Sequence, residues 1–347
     1  MKKNKINKIA IIGAGSWGTT LAVLLADKEY DVSLWTHREE TCKEILSKRR
    51  NTKYTKDLVM PDNITPFHKI DDHMISGSDI IVLAIPSHAL RETVKKFYDV
   101  FKSAADPVRC VLNVAKGFET GTNLRLSEVL EEVLPDPLKA KTCSLSGPNI
   151  AVEVARKLPS VSVVASKNAE ILKFIQPVLS TDSFRIYTNN DVSGVEIGGA
   201  IKNIIAIASG ISDGLGYGAN SKASLITRGL YELSKFGTRL GANPLTFSGA
   251  AVMGDLIATC ISKHSRNRGV GERLARGEKI DQIMNSMYMV AEGVRTSKAV
   301  YEIAVNNNLD VPITECIYEI IYKSLSPEES VKKLMSRKFK PEIEDLT

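Results

Sequence analysis

An apolar run passes directly into three closely spaced glycines in Lys8-Ile-Ala-Ile-Ile-Gly13-Ala-Gly15-Ser-Trp-Gly18. The β-branched residues predict a buried strand, and the apolar residues after Gly18 predict a helix. Gly13 permits a tight turn, Gly15 lets the backbone approach a pyrophosphate, and Gly18 allows close packing of the helix on the strand. The N-terminus of such a helix binds phosphates through its free N–H groups. The segment therefore predicts a dinucleotide-binding strand, turn and helix.

A secretory signal peptide is the alternative interpretation of this N-terminus, because several lysines precede the apolar residues. Three glycines and two threonines interrupt the apolar segment, which argues against a signal peptide.

The five cysteines are dispersed without a CxxC pair, as expected for reduced, buried thiols in a cytoplasmic protein. No apolar run reaches the roughly 18–20 residues that cross a membrane, so we expect no stable membrane insertion.

The bulk properties are those of a soluble globular protein, and the net charge by itself does not indicate a nucleic-acid partner. A chain of 347 residues is long enough for two domains. The formal charge of +6 is modest for this length and suits anionic small molecules as well as an ordinary lysine-rich surface. The five histidines show no metal-binding spacing, so no metal site is expected.

Short apolar strands alternate with helical segments in the first half of the chain, which predicts a doubly wound, mostly parallel sheet. The predicted strands are Ile9–Ile12, Asp31–Trp35, Asp79–Ile85, Arg109–Ala115, Thr142–Leu145, Ser160–Ala165 and Phe184–Tyr187. From about Asp191 the apolar spacing becomes helical. We expect a Rossmann-like α/β domain over residues 1–190, an all-α substrate and catalytic domain over 191–335, and a charged C-terminal tail over 336–347.

The end of the second predicted strand bears on the choice of cofactor. An acidic residue about 20 positions after the glycines binds the ribose hydroxyls in NAD-preferring folds. Here the region reads Trp35-Thr-His37-Arg38. Arg38, helped by His37, can hold a 2′-phosphate, or it can be a solvated arginine at the start of a helix. The sequence therefore favours NADP slightly over NAD, and the nearby Glu39 and Glu40 allow both.

Several polar residues lie where catalysis or anion binding is plausible, and each also has a purely structural explanation. Lys116 follows a strand and is either a ligand for substrate or a surface lysine. Lys202 lies in an apolar helical segment; it is either desolvated and able to exchange a proton, or a lysine that reaches solvent along an amphipathic helix. Arg266 either clamps a phosphate or belongs to a basic loop. Glu292 is equally explained by helix capping.

Taken together, the ordered motifs resemble the soluble, bacterial NAD(P)-dependent glycerol-3-phosphate dehydrogenase family over nearly the whole chain. The resemblance rests on Gly13-Ala-Gly15-Ser16-Trp17-Gly18, Ala115-Lys116-Gly117, Ser146-Gly147-Pro148, Lys202-Asn203, Asp213-Gly214, Thr227-Arg228-Gly229, Gly254-Asp255-Leu256, Ser265-Arg266-Asn267-Arg268 and Ala291-Glu292-Gly293. It implies hydride transfer between a nicotinamide cofactor and C2 of glycerol 3-phosphate or dihydroxyacetone phosphate, which supplies glycerol phosphate for phospholipid synthesis. A homodimer is the commonest symmetric assembly, and we expect one here.

The resemblance also implies roles for individual residues. Lys202 is the implied proton donor and acceptor. The implied substrate-binding residues are Lys116, Gly147, Asn149, Asp255, Ser265, Arg266 and Asn267. Besides the three glycines, the implied cofactor-binding residues are Ser16, Trp17, His37, Arg38, Tyr54, Lys116, Ala151, Arg266, Val290 and Glu292.

One segment departs from the family pattern. The chain has Asn149-Ile150 where the family usually has a small hydroxyl residue followed by an aromatic residue. Two other functions remain open at this point. A β-hydroxyacid or 6-phosphogluconate dehydrogenase relative shares the expected layout, and a regulator that binds NAD(P) without chemistry shares the glycine motif.

Overall fold

The structure is a computed structural model that describes residues 6–342. Within this range one eight-stranded sheet has the order β3-β2-β1-β4-β5-β6-β7-β8. The strands are β1 (Lys8–Ile12), β2 (Asp31–Trp35), β3 (Ile64–Phe67), β4 (Ile80–Leu83), β5 (Cys110–Asn113), β6 (Thr142–Ser146), β7 (Ser160–Ala165) and β8 (Phe184–Asn189). Strands β1 to β6 pair in parallel, as do β7 and β8. The prediction of a mostly parallel sheet is confirmed.

Helices connect these strands and make up the second half of the chain. The helices among the strands are α1 (Ser16–Ala26), α2 (Glu39–Lys48), α3 (Asp72–Ile75), α4 (Leu90–Lys96), α5 (Tyr98–Ser103), α6 (Leu126–Val133), α7 (Asp136–Lys139), α8 (Ala151–Ala155) and α9 (Ala169–Leu179). Those that follow are α10 (Val192–Gly214), α11 (Ala219–Arg239), α12 (Asp255–Ile261), α13 (Arg266–Ala275), α14 (Ile280–Ser286), α15 (Glu292–Asn306), α16 (Pro312–Lys323) and α17 (Pro327–Met335). The predicted helical character of the second half is confirmed.

The glycine motif forms the expected turn between β1 and α1. Strand β1 is central, with Ile11 beside Leu34 of β2 and Val82 of β4. Gly13 has a φ of +119°, which an L side chain rarely adopts, and a Cβ at this position would overlap the carbonyl oxygen of Ala84. Gly15 precedes α1 without a side-chain cap, so no capping side chain occupies the N–H groups of the first turn.

Strand β3, Ile64-Thr-Pro-Phe67, was not predicted from the sequence. Pro66 interrupts the apolar run and lacks a backbone N–H, which argues against a central strand. Because β3 pairs only with β2 at the edge of the sheet, the missing donor breaks no ladder on its other side. Pro66, which argued against a strand in the sequence, is therefore compatible with the edge position of β3.

The chain divides into two compact units. The first comprises Met1–Ala115, Leu126–Leu145 and Asn149–Val192 and contains the whole sheet except Ser146, the last residue of β6. The second comprises Lys116–Arg125, Ser146–Pro148 and Ser193–Thr347. The second unit is the helical unit. It differs from the contiguous segment that we expected, because the short segments Lys116–Arg125 and Ser146–Pro148 belong to it as well.

The expected C-terminal tail is described only as far as residue 342, and residues 343–347 lie outside the described range. Its described part is held by polar contacts. Arg337 pairs with Asp310 at 2.7 Å, and Arg228 donates a hydrogen bond to the carbonyl oxygen of Glu342 at 2.7 Å.

One helix corrects the expectation about apolar length. Among the described residues, α10 is long and apolar enough to cross a membrane by length and composition alone. Polar residues such as Glu196 and Lys202 interrupt its sequence, so no continuous apolar run marked it. In the folded chain 89% of its most apolar window is buried, which is how the core helix of a globular protein behaves.

Candidate active site

The ammonium group of Lys202 is buried in the helical unit. Its side chain is 7% exposed and projects from α10, a helix built largely of Gly, Ala and Ile. The Nζ atom donates a hydrogen bond to Asp255 Oδ1 at 2.5 Å and another to Thr259 Oγ1 at 2.8 Å. An ammonium carries three donors, and these two bonds use two of them. The alternative of a lysine that extends into solvent is wrong.

Asp255 bridges two lysines. Its Oδ2 atom accepts a hydrogen bond from Lys116 Nζ at 2.7 Å, while Oδ1 accepts the bond from Lys202. A π-helical turn, Ala250–Gly254, leads directly into Asp255 at the start of α12, and such turns are frequent at functional sites. Lys116 Nζ also donates to the carbonyl oxygen of Gly147 at 3.3 Å. Four residues singled out in the sequence, Lys116, Gly147, Lys202 and Asp255, therefore form one cluster.

A glycine on α10 makes room for this cluster. A Cβ at Gly199 would lie 2.8 Å from Ser146 Oγ and 3.7 Å from Lys116 Cδ. The first distance is too short for a side chain unless the Ser146 hydroxyl turns away, so glycine leaves room where Ser146 and Lys116 approach the helix one turn before Lys202.

The charges in the cluster shift one another's pKa values. Burial lowers the pKa of Lys202 to about 8; Asp255 opposes this shift, and the positive charge of Lys116 adds to it. Burial by itself raises the pKa of Asp255, but the two ammonium groups outweigh it and lower the pKa below its ordinary value. At neutral pH the cluster therefore has an ionised carboxylate and a lysine that can release its proton near pH 8.

Side-chain amides connect Asn203, the residue after Lys202, to the start of α13. Asn203 Oδ1 accepts a hydrogen bond from Asn267 Nδ2 at 2.9 Å, and Asn267 Oδ1 accepts one from the backbone N–H of Gly293 at 3.0 Å. All three residues are buried. The amide chain ties α13 and the first turn of α15, where Glu292 lies, to α10 beside Lys202.

The start of α13 is also ordered by Ser265 and Arg266. Ser265 caps the helix, because its Oγ atom accepts a hydrogen bond from the backbone N–H of Arg268 at 3.2 Å. The exposed side chain of Arg266 donates from Nη1 to the carbonyl oxygen of Val290 at 2.7 Å. Two of the residues implied to bind cofactor, Arg266 and Val290, are thus joined in the helical unit.

The remaining expected cofactor residues lie in the first unit. Ser16 and Trp17 begin α1, where Trp17 packs against the core and meets the ring of Phe184 edge-on at 6.1 Å. Ala151 begins α8 and accepts a hydrogen bond from Thr20 Oγ1 of α1 at 3.4 Å. The glycine turn, Ser16, Trp17 and Ala151 are therefore neighbours.

A group of basic side chains surrounds His37, just past the end of β2. Arg38 Nε donates to His37 Nε2 at 3.2 Å. Burial lowers the pKa of His37, and the charges of Arg38, Lys53 and His68 lower it further. Lys53 also lies over the ring of Tyr54, with Nζ 5.9 Å from its centroid. A neutral imidazole therefore accepts a hydrogen bond from Arg38 within this group.

Asn149, which the sequence singled out, bonds to a strand of the sheet. It lies in the first unit, and its Nδ2 atom donates to Ser162 Oγ of β7 at 3.0 Å. Conversely, Thr259 was not singled out from the sequence. It follows Asp255 by four residues on α12, so the i, i+4 spacing puts both on one helix face and was the available signal.

No group of three metal-binding side chains occurs within residues 6–342.

Comparison with known proteins gives a direct assignment. The family model of the NAD-dependent glycerol-3-phosphate dehydrogenase N-terminus matches residues 8–172, and the model of its C-terminus matches residues 191–332. The chain belongs to the NAD-dependent glycerol-3-phosphate dehydrogenase family.

Curated relatives in this family are similar over almost their full length. A protein of Chlorobium limicola named glycerol-3-phosphate dehydrogenase (NAD(P)+) is 46% identical over 96% of this chain and 99% of its own. One of Geobacillus kaustophilus with the same name is 47% identical over 98% of each chain. The crystal structure of glycerol-3-phosphate dehydrogenase from Coxiella burnetii has a TM-score of 0.89 and 32% identity, covering 96% of this chain and 99% of that one.

Proposed function

We propose that this chain interconverts dihydroxyacetone phosphate and sn-glycerol 3-phosphate with NADP(H) or NAD(H), and that Lys202 exchanges the proton at the C2 oxygen. The observation that carries the proposal is the buried Lys202 ammonium, which has two hydrogens bound by Asp255 and Thr259 and a pKa of about 8. Family membership and the relatives' names supply the substrate and the cofactor class.

The first unit has features that fit a dinucleotide. The close approach of Gly13 to Ala84 leaves no space for a side chain, and the first turn of α1 has no side-chain cap. Backbone N–H groups in such a turn suit a pyrophosphate. When bound, the nicotinamide supplies or accepts the hydride at C2. We assign Gly13, Gly15, Ser16, Trp17 and Gly18 to the cofactor, together with Tyr54, Ala151, Val290 and Glu292.

Lys202 acts on the oxygen at which charge develops. Reduction of the ketone builds negative charge on the C2 oxygen, and the third N–H of Lys202 stabilises that charge and then transfers its proton. In the reverse direction the neutral amine accepts the hydroxyl proton. A pKa of about 8 makes both steps accessible near neutral pH, because neither the charged nor the neutral form is strongly disfavoured.

Asp255 and Thr259 orient Lys202. The carboxylate also retains Lys116, so two ammonium groups share one carboxylate and the cluster keeps an excess positive charge for the reacting oxygen. Thr259 Oγ1 donates to the backbone carbonyl of Asp255 at 2.6 Å, which leaves its lone pairs to accept from Lys202. The ammonium is therefore held before the substrate arrives.

The substrate phosphate is assigned to the start of α13. Arg266 brings a planar cation that binds phosphate oxygens in pairs, and the helix N-terminus favours negative charge. Lys116, Gly147, Asp255, Ser265 and Asn267 complete the proposed substrate-binding set. Asn149 is retained in this set as the resemblance implies, although its amide nitrogen bonds to Ser162.

A slight preference for NADP is supported by the charges after β2. Arg38 and Lys53 bring positive charge to this region, and His37 holds Arg38 through a hydrogen bond. The carboxylate of Glu39 pairs with Lys43 at 2.8 Å, so a ribose hydroxyl would compete with that ion pair. This arrangement favours a 2′-phosphate, and it leaves NAD as a usable cofactor.

We further propose a cytoplasmic homodimer that is not inserted in a membrane and supplies glycerol phosphate for phospholipid synthesis. The burial of α10 and of all five cysteines supports this location. Light scattering after gel filtration tests the assembly.

The decisive test of the function is oxidation of NADPH and NADH by purified protein with dihydroxyacetone phosphate, followed by ultraviolet absorbance. We expect turnover with both cofactors, and none with NADP+ and 6-phosphogluconate. Turnover of 6-phosphogluconate instead, or binding of NADPH without any reduction of dihydroxyacetone phosphate, contradicts the proposal.

A further inference from the structure

Asn51 lies outside every motif that the function uses, yet its side chain is fully buried against the glycine turn. Its Nδ2 atom donates to the carbonyl oxygen of Ala14 at 2.8 Å and contacts Thr19 Oγ1 at 2.9 Å. Ala14 stands between Gly13 and Gly15, and Thr19 lies in the first turns of α1. One side-chain amide thus holds the turn and the helix together from 37 residues away in the sequence.

The bond to Ala14 determines which way the next N–H points. In a planar trans peptide the C=O of one residue and the N–H of the next are antiparallel. Because Asn51 holds the Ala14 carbonyl towards itself, the N–H of Gly15 points to the opposite side of the turn. A rotation of this peptide would present a carbonyl oxygen there instead, and a carbonyl oxygen repels an anion.

Asn51 also begins the turn that contains Tyr54. Its backbone carbonyl accepts hydrogen bonds from the N–H groups of Tyr54 at 3.1 Å and Thr55 at 2.9 Å. The side chain of Asn51 therefore orients the glycine turn, and its main chain orients a residue that we assign to the cofactor.

We propose that Asn51 is a positioning residue for dinucleotide binding, which keeps the Gly15 N–H directed at the pyrophosphate. This inference rests on the proposed function, because it takes the glycine turn as the pyrophosphate site. It predicts that loss of the amide weakens the dinucleotide specifically and leaves the proton chemistry at Lys202 intact.

The chain offers a matched control at the other end of the same helix. Asn63 Nδ2 donates to the carbonyl oxygens of Ala26 at 2.9 Å and Tyr30 at 2.8 Å. Asn51→Ala and Asn63→Ala each remove two side-chain hydrogen bonds at one end of α1, so both should lower Tm. Only the first loss touches the glycine turn.

The experiment is calorimetric titration of both variants and the wild type with NADP+. We expect Asn51→Ala to raise the Kd about tenfold and Asn63→Ala to change it less than about twofold. At saturating NADPH, the kcat of Asn51→Ala should stay within about threefold of wild type because Lys202 is untouched. Equal Kd values for the two variants would overturn the inference.

Thr19→Val is the second variant, because it keeps the side-chain volume nearly unchanged and removes only one contact of the amide. We expect its Kd for NADP+ to rise by about threefold. Should Asn51→Ala not fold, a Thr19→Val protein that binds NADP+ as tightly as Asn63→Ala overturns the inference. A wild-type protein that binds no dinucleotide would remove the proposed function as well, so the two failures are distinguishable.

Discussion

Replacement of Lys202 by Met tests the proposed chemistry most directly. Met fills a similar volume, so the change removes the charge and leaves the packing of the side-chain stem nearly intact, while Lys116 keeps Asp255 paired. One buried, charged donor at a developing oxyanion is worth about 10²-fold in kcat, and a positioned proton donor contributes about another 10²-fold. The expected loss in kcat is therefore about 10⁴-fold, or roughly 5 kcal/mol of transition-state stabilisation.

The assay is the rate of NADPH oxidation at saturating dihydroxyacetone phosphate, with NADP+ affinity measured separately. Lys222→Met is the matched control, since it removes another ammonium of the helical unit, one paired with Asp213 at 2.6 Å. Lys202→Arg separates charge from proton transfer, because a guanidinium stays protonated at any relevant pH. We expect the control to keep its kcat and Lys202→Arg to lose about 10²-fold or more.

The refuting result is a folded Lys202→Met protein, with the cofactor affinity of wild type, whose kcat falls by less than about tenfold. Such a protein would show that the ammonium does not touch the reacting oxygen. The proton donor would then have to be sought elsewhere in the cluster, beginning with Lys116.

Three further changes test other parts of the site. Because the pKa of Lys202 is about 8, the rate of dihydroxyacetone phosphate reduction should decline above pH 8, where the ammonium deprotonates, and the rate of glycerol 3-phosphate oxidation should rise up to that pH. Identical pH profiles in the two directions would contradict this assignment. Arg38→Ala should raise the Kd for NADPH about tenfold more than that for NADH, because only NADPH has the 2′-phosphate, and equal weakening of both would refute its role. Arg266→Ala should raise the KM for dihydroxyacetone phosphate by about tenfold or more, since it removes a phosphate-binding cation, and Arg239→Ala is the surface control. An unaltered KM in Arg266→Ala would show that the loop is an ordinary basic segment.

The sequence predicted most of the sheet because buried parallel strands leave a strong local signal. The predicted bounds of Asp31–Trp35 and Ser160–Ala165 agree with the structure residue for residue. Their flanking turns and β-branched residues identify them without tertiary information. Strand β3 lacked that signal, since Pro66 is tolerated only because the strand lies at the edge, and an edge is a property of the assembled sheet.

By itself, the sequence determined the fold class, the glycine turn and the family, because ordered motifs and apolar periodicity are local in the chain. The charge state of Lys202 could not be derived in this way, and its residue type left a buried and a solvated lysine equally open. Only tertiary structure brings Asp255 from 53 residues away to within 2.5 Å and excludes water around the pair. Desolvation and Coulomb energy depend on distance through space, and that distance is set by how the helices pack.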